Sequence, residues 1–323
     1  NSEGSGKVPS SFISNPYDRA VELLGSENVL YQTPSEDTTL YVAVVGADGQ
    51  EGADRLTMDM DVEDQEALQN AIKAAKEHNR KLVLVCNSSG PITLTEYVQD
   101  CNAILCPYFA GQAGGKVVTD AIFGLYNPSG KLTDTWPKAY CDTPSYKNYG
   151  GENKEVWYGE GIYVGYRWYD ARKIEPLFPF GYGLSYTSFA FSDLQVEDTD
   201  VEKEDIMVKV SVENTGNMAG AEVVQLYVAS PKSSFDKPEK ELKGFQKVYL
   251  QPGEKTEVTL TVSKEDLAHY HTALEEFVTE PGTYRILVGN SSRDIALSKE
   301  IQVVCHDPFG WNVITGIVKL VSN

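Results

Sequence analysis

Apolar residues run without a break through LYVAVVG at 40–46, LVLVC at 82–86 and NAILC at 102–106. Short uninterrupted runs of this kind predict parallel strands buried on both faces. After the first comes EDQEALQNAIKAAKEH, 63–78, where Leu68, Ile72 and Ala75 share a helical face. Acids crowd its first turn, where the helix dipole favours them. After the third comes GGKVVTDAIFG, 114–124, a helix ending on glycine. Strands interspersed with helices predict a parallel α/β sheet. A Ser/Gly-rich start, residues 1 to about 35, contains a weaker helical stretch at Tyr17–Leu24.

The pattern changes after Trp136. Residues 137–187 are rich in Tyr, Gly and Pro and show no period, and a long irregular segment in a compact protein is often functional. From Phe189 to about Val304 the chain alternates: IMVKVSVEN, then TGNMAG, then AEVVQLYVAS; KVYL and TEVTLTV flank QPGE; PG precedes TYRILVG. Strands every ten or so residues with turn signals between them predict a β-sandwich of immunoglobulin or fibronectin type. The predicted class is therefore α/β plus all-β. The expected divisions are an α/β sandwich domain at 1–136, an irregular linker at 137–188, the β-sandwich at 189–304, and an amphipathic tail at 305–323 that could begin a further segment. No internal repeat or low-complexity tract occurs.

Length supports the division, since 323 residues exceed one ordinary core. A 41% hydrophobic and 23% charged composition is that of a globular chain. The net charge of −19 argues against nucleic acid and against anionic membranes, and is neutral about sugars. No apolar run approaches the ~18 residues of a membrane span. Cys86, Cys101, Cys106, Cys141 and Cys305 form no CxxC pair, so free thiols are expected rather than a disulfide framework. Acidity and free thiols lean towards a bacterial cytoplasm, with secretion left open. The HYH at 269–271 would place two histidines on one strand face, but no third ligand is evident, so neither a metal nor a cofactor is expected. Residue 1 is Asn, so a missing signal peptide carries no weight.

The chemistry concentrates in VAVVGADGQEGADR, 42–55, with glycines at 46, 49 and 52. The spacing is G-x-x-G-x-x-G, not the G-x-G-x-x-G of a dinucleotide cradle. No helix start follows at once, and no Walker lysine is present. A second reading starts from topology, because ligands of open parallel sheets bind beyond the carboxyl ends of the strands. Three loops reach that edge: one carries Glu51, one Asn87, Ser88 and Ser89, and one Tyr108 and Gly111.

Several stretches together resemble the second and third domains of glycoside hydrolase family 3, the family of many β-glucosidases and β-xylosidases. EGADR at 51–55 resembles the family's E-G-x-D-R loop. AGQAGGKVVTDAIFGLYNPSGKLTDTWP, 110–137, resembles its G-Q-x-G-G and N-P-S-G-K-L run. GEGIYVGYRWYD, LFPFGYGLSYTSF, VENTGNMAGAEVVQLYV, KELKGFQKVYLQPGE and PGTYRILVGNSS follow in family order.

The resemblance implies retaining hydrolysis of terminal β-linked sugars from oligosaccharides or glycosides. An Asp nucleophile would come from a separate (β/α)8 barrel and the general acid/base from Glu51. The two carboxylates of such a site stand ~5–5.5 Å apart. Asp54 and Arg55 are expected as loop supports or substrate contacts. Trp157, Tyr158 and Trp168 are candidates for stacking on a sugar face, against a plain packing role. Gln50 departs from relatives, which often carry a small or acidic residue there. The barrel is absent from this sequence and is the expected partner, in the same gene product or as a second chain; a homo-oligomer is also open. GSGKV at 4–8 resembles the opening loop of the second domain, so the chain is expected to be a truncated or cleaved piece. A subunit of a split enzyme, or part of an enzyme of reversed domain order, fits as well. Without the barrel little hydrolysis is expected. The alternative from another class is a non-catalytic carbohydrate-binding or adaptor module.

Overall fold

The computed structural model describes residues 9–49, 52, 54–197 and 200–304. Glu51, Gln50, Ala53 and the predicted tail at 305–323 lie outside the described residues. The chain divides into two compact units. The first holds the described residues up to Pro128 together with 134–159 and 175–178; the second holds 129–133, 160–174 and the described residues from Pro179 onward.

The first unit contains α1 (Pro16–Leu24), β1 (Leu40–Ala47), α2 (Val62–Glu77), β2 (Lys81–Ser88), β3 (Ala103–Leu105) and α3 (Gly114–Ile122). The strands form a parallel sheet in the order β1-β2-β3, with Val42 opposite Val83 and Val85 opposite Leu105. The central strand β2 is buried almost throughout, and its Val83 and Val85 pack on Val118 of α3. Edge strand β1 differs from the prediction. Tyr41, Ala43 and Val45 are buried, but Val42 and Val44 are more than 40% exposed. An apolar run thus marks a strand without showing that both faces are covered. At α3 the N-terminus is held from a distance, because Ser14 Oγ accepts from Lys116 N–H at 3.1 Å. Gly115 admits this segment, since a Cβ there would stand 2.4 Å from the Asn15 carbonyl carbon.

The second unit contains α4 (Tyr166–Arg172), β4 (Phe189–Val196), β5 (Ile206–Asn214), β6 (Gly220–Ala229), β7 (Glu241–Leu250), β8 (Lys255–Val262), α5 (Lys264–Leu267), β9 (His269–His271), β10 (Glu276–Val278), β11 (Gly282–Gly289) and β12 (Ile295–Val303). Antiparallel sheets β12-β11-β6-β7 and β4-β5-β8 form a fibronectin-like sandwich, accompanied by the β9–β10 ribbon. Alternation along β5 turns Val208, Val210 and Val212 inward, against Val224 and Leu226 of β6 and Ile286 and Val288 of β11. The aperiodic stretch at 137–187 contains α4, which period analysis misses because its buried set, Tyr166, Tyr169 and Asp170, includes a carboxylate. Among the described residues no helix is long and apolar enough to cross a membrane.

Candidate functional site

A parallel sheet delivers its strand ends to one edge, and the first unit places the ends of β1, β2 and β3 there. Gly46, near the end of β1, is a glycine for a steric reason: a Cβ would sit 2.4 Å from the Asn87 carbonyl oxygen of β2. Its N–H donates to Asp64 Oδ2 at 2.7 Å, and its carbonyl accepts from Asp61 N–H at 3.2 Å. Two residues on, Asp48 N–H donates to Asp61 Oδ2 at 3.3 Å. Burial pushes the Asp64 carboxyl above its ordinary range, and the Gly46 hydrogen bond pulls the other way. Gly52 stands at φ +76°, a left-handed conformation that a glycine accepts without strain. The loop is therefore built around a fixed stem and a glycine bend, with Glu51 between them in sequence.

Beyond the bend, Asp54 is exposed and accepts a hydrogen bond from the Tyr149 hydroxyl, which holds that phenol protonated above its usual range. Tyr149 was not singled out in the sequence; only its place in the Tyr-rich irregular stretch hints at it. Arg55 is partly buried, and its Nη1 has no hydrogen-bond partner among the described residues. On the β2 loop, Ser88 is buried and its hydroxyl donates to the Gly90 carbonyl at 2.6 Å, so Ser88 is occupied structurally. After β3, Tyr108 takes φ +53° and Gly111 φ +74°, a bent loop on the same edge.

Two thiols of the first unit are held in the protonated form. Hydrogen bonding to Cys106, then burial, pushes the Cys86 thiol far above its ordinary range, and burial pushes Cys101 up to about 11. Cys86, Cys101, Cys106 and Cys141 are all free.

The stacking candidates separate. Trp157 and Tyr158 belong to the first unit and are 72% and 80% exposed, so their ring faces are open. Trp168 belongs to the second unit, where the Arg172 guanidinium lies 4.8 Å from its ring centroid and occupies one face.

Comparison with known proteins decides the lineage. The glycosyl hydrolase family 3 C-terminal domain matches residues 2–166, more than half of the chain. The chain belongs to glycosyl hydrolase family 3. A fibronectin type III-like domain matches residues 222–292. Thermostable beta-glucosidase B of Acetivibrio thermocellus is 46% identical over 254 residues, which cover 78% of this chain and 33% of that protein. The family 3 chain thus spans about a third of the length of that curated relative. Among solved structures, beta-glucosidase 3B from Thermotoga neapolitana in complex with glycerol superposes with a TM-score of 0.84 at 33% identity, covering 94% of this chain and 48% of that one. The Bifidobacterium adolescentis GH3 beta-glucosidase superposes with a TM-score of 0.83 at 30% identity, covering 95% and 48%.

Proposed function

We propose that this chain supplies the general acid/base of a retaining β-glucosidase, with Glu51 as the catalytic carboxyl group. The observation that carries this reading is the braced end of β1, at the carboxyl edge of a parallel sheet in a family 3 chain, which E-G-A-D-R follows in sequence. Its relatives are named beta-glucosidases, and they are more than twice as long as this chain.

In this reading a (β/α)8 barrel, in the same gene product or as a second chain, supplies the Asp nucleophile. That carboxylate attacks the anomeric carbon while Glu51 protonates the departing glycosidic oxygen. Glu51 then takes a proton from the water that opens the glycosyl-enzyme. Asp54, fixed by Tyr149, and Arg55 border the loop as substrate-side supports. Trp157 and Tyr158 offer open rings to a sugar face.

The test is Glu51→Ala in the enzyme completed with its barrel. A dinitrophenyl β-glucoside needs little protonation on leaving and keeps most of its kcat/KM, whereas the kcat/KM of an alkyl β-glucoside falls ~10²–10⁴-fold. Azide restores turnover by replacing water and gives a β-glucosyl azide. Equal losses on both substrates would refute the acid role. The open rings of Trp157 and Tyr158 also suit a carbohydrate-binding module. A sugar-binding isotherm of the chain alone, unchanged in Glu51→Ala and lost in Trp157→Ala, would favour that reading.

A further inference from the structure

Helix α2 opens with two carboxylates that do not cap it. Asp61 is its N-cap residue and Asp64 stands three positions further, the spacing at which side chains ordinarily satisfy each other's backbone N–H groups. Yet among the described residues no side-chain hydrogen bond caps this helix. Asp64 instead reaches to Gly46 N–H at 2.7 Å, and Asp61 to Asp48 N–H at 3.3 Å. The helix gives up a cap to hold a neighbouring segment. On its other flank the stem cannot yield, because Gly46 already lies against the Asn87 carbonyl of β2. Gly46 is thus clamped between the first turn of one helix and the backbone of one strand.

We infer that Asp64 is a positioning residue for the acid/base loop: it fixes the backbone from which the segment carrying Glu51 departs. The inference rests on the reading of Glu51 given above. Two general facts support it. A catalytic carboxyl group displaced by about 1 Å loses ~10²-fold in rate. A loop rich in glycine holds no position of its own, so its stem must do so.

Asp64→Ala removes the acceptor, and Asp64→Asn keeps one oxygen able to accept from Gly46. Amide exchange in this chain reads the brace directly. Asp64→Ala is expected to lose ~10-fold of the protection at Gly46, while Asp64→Asn retains it and the amides of central β2 stay unchanged. In the enzyme completed with its barrel, Asp64→Ala is expected to lower kcat/KM on alkyl β-glucosides ~10–100-fold and to leave kcat/KM on dinitrophenyl β-glucoside nearly unaffected, with Asp64→Asn recovering most of the loss. A purely structural role would lower both substrates together, and that result, or an unprotected Gly46 amide in the unsubstituted chain, overturns the inference. Glu51→Ala, run alongside, separates the two claims. If it shows no dependence on leaving group, the acid/base reading fails. If it does and Asp64→Ala does not, only the brace fails.

Discussion

The two units put their polar groups to different uses. In the sandwich unit such groups close upon the scaffold. Asn214 donates to the carbonyls of Met218 and Leu250 and accepts from Thr187 Oγ1 and Gly216 N–H, filling its hydrogen-bonding capacity at the N-T-G corner. Asp170 is held between Lys240 at 2.5 Å and Arg293 at 2.9 Å. Gln225 binds the carbonyls of Gly181 and Asn290 and accepts from the Tyr227 hydroxyl. In the α/β unit the polar groups at the sheet edge hold loop stems: Asp64 takes Gly46, Asp61 takes Asp48, and Tyr149 takes Asp54. A scaffold turns its polar groups inward; a unit that presents chemistry turns some of them outward, towards the backbone it must aim.

The largest effect should come from breaking the closed network. Asp170→Ala leaves Lys240 and Arg293 without their shared buried anion and should destabilise the sandwich unit by about 3–5 kcal/mol. Urea unfolding followed by near-UV circular dichroism measures it. A loss below ~1 kcal/mol would mean that water replaces the carboxylate and that the network is not closed.

Next comes a matched pair of apolar truncations. Leu226→Ala, at a fully buried position between the two sheets, should lose about 2–5 kcal/mol through lost burial and the cavity left behind. Val44→Ala on the exposed face of β1 should stay within about 0.5 kcal/mol. A large loss at Val44 would show that its face is covered in solution and would erase this part of the contrast. Smaller than Leu226→Ala, but confined to the α/β unit, is Gly46→Ala. Its methyl would press on the Asn87 carbonyl, so about 1–3 kcal/mol should be lost, with reduced amide protection at Gly46 and Asn87.

The same contrast explains what the sequence disclosed. The parallel sheet and the sandwich were legible because burial imposes a pattern: β5 alternates over its whole length, and β2 is apolar because it is buried almost throughout. β1 was found but its open face was not, since Val42 and Val44 are as apolar as their buried neighbours. The family was legible from local motifs. The brace was only half legible. Acids in the first turn of α2 were expected to complement its dipole, and nothing in their spacing shows that Asp61 and Asp64 turn to another element. Tyr149 lay hidden for the same reason, as a long-range hydrogen bond leaves no periodic trace.

The smallest effect tests an exception within the sandwich unit. Both ring nitrogens of His269 are buried without a hydrogen-bond partner among the described residues, and the ring packs on Phe235 with centroids 4.1 Å apart. Burial, then Lys237, holds its pKa below the ordinary 6.5; Glu280 opposes this and His271 adds to it. The folded state therefore keeps His269 neutral at pH values where the unfolded chain has already bound a proton. Its contribution is fully present above pH ~6.5 and is lost as pH falls from there towards the depressed folded value. His269→Phe keeps a ring against Phe235 and removes the titration. Its urea midpoint should fall less than that of the unsubstituted chain between pH 7.5 and 5. Identical slopes would mean that the imidazolium finds a partner on protonation, and that the sandwich closes even here.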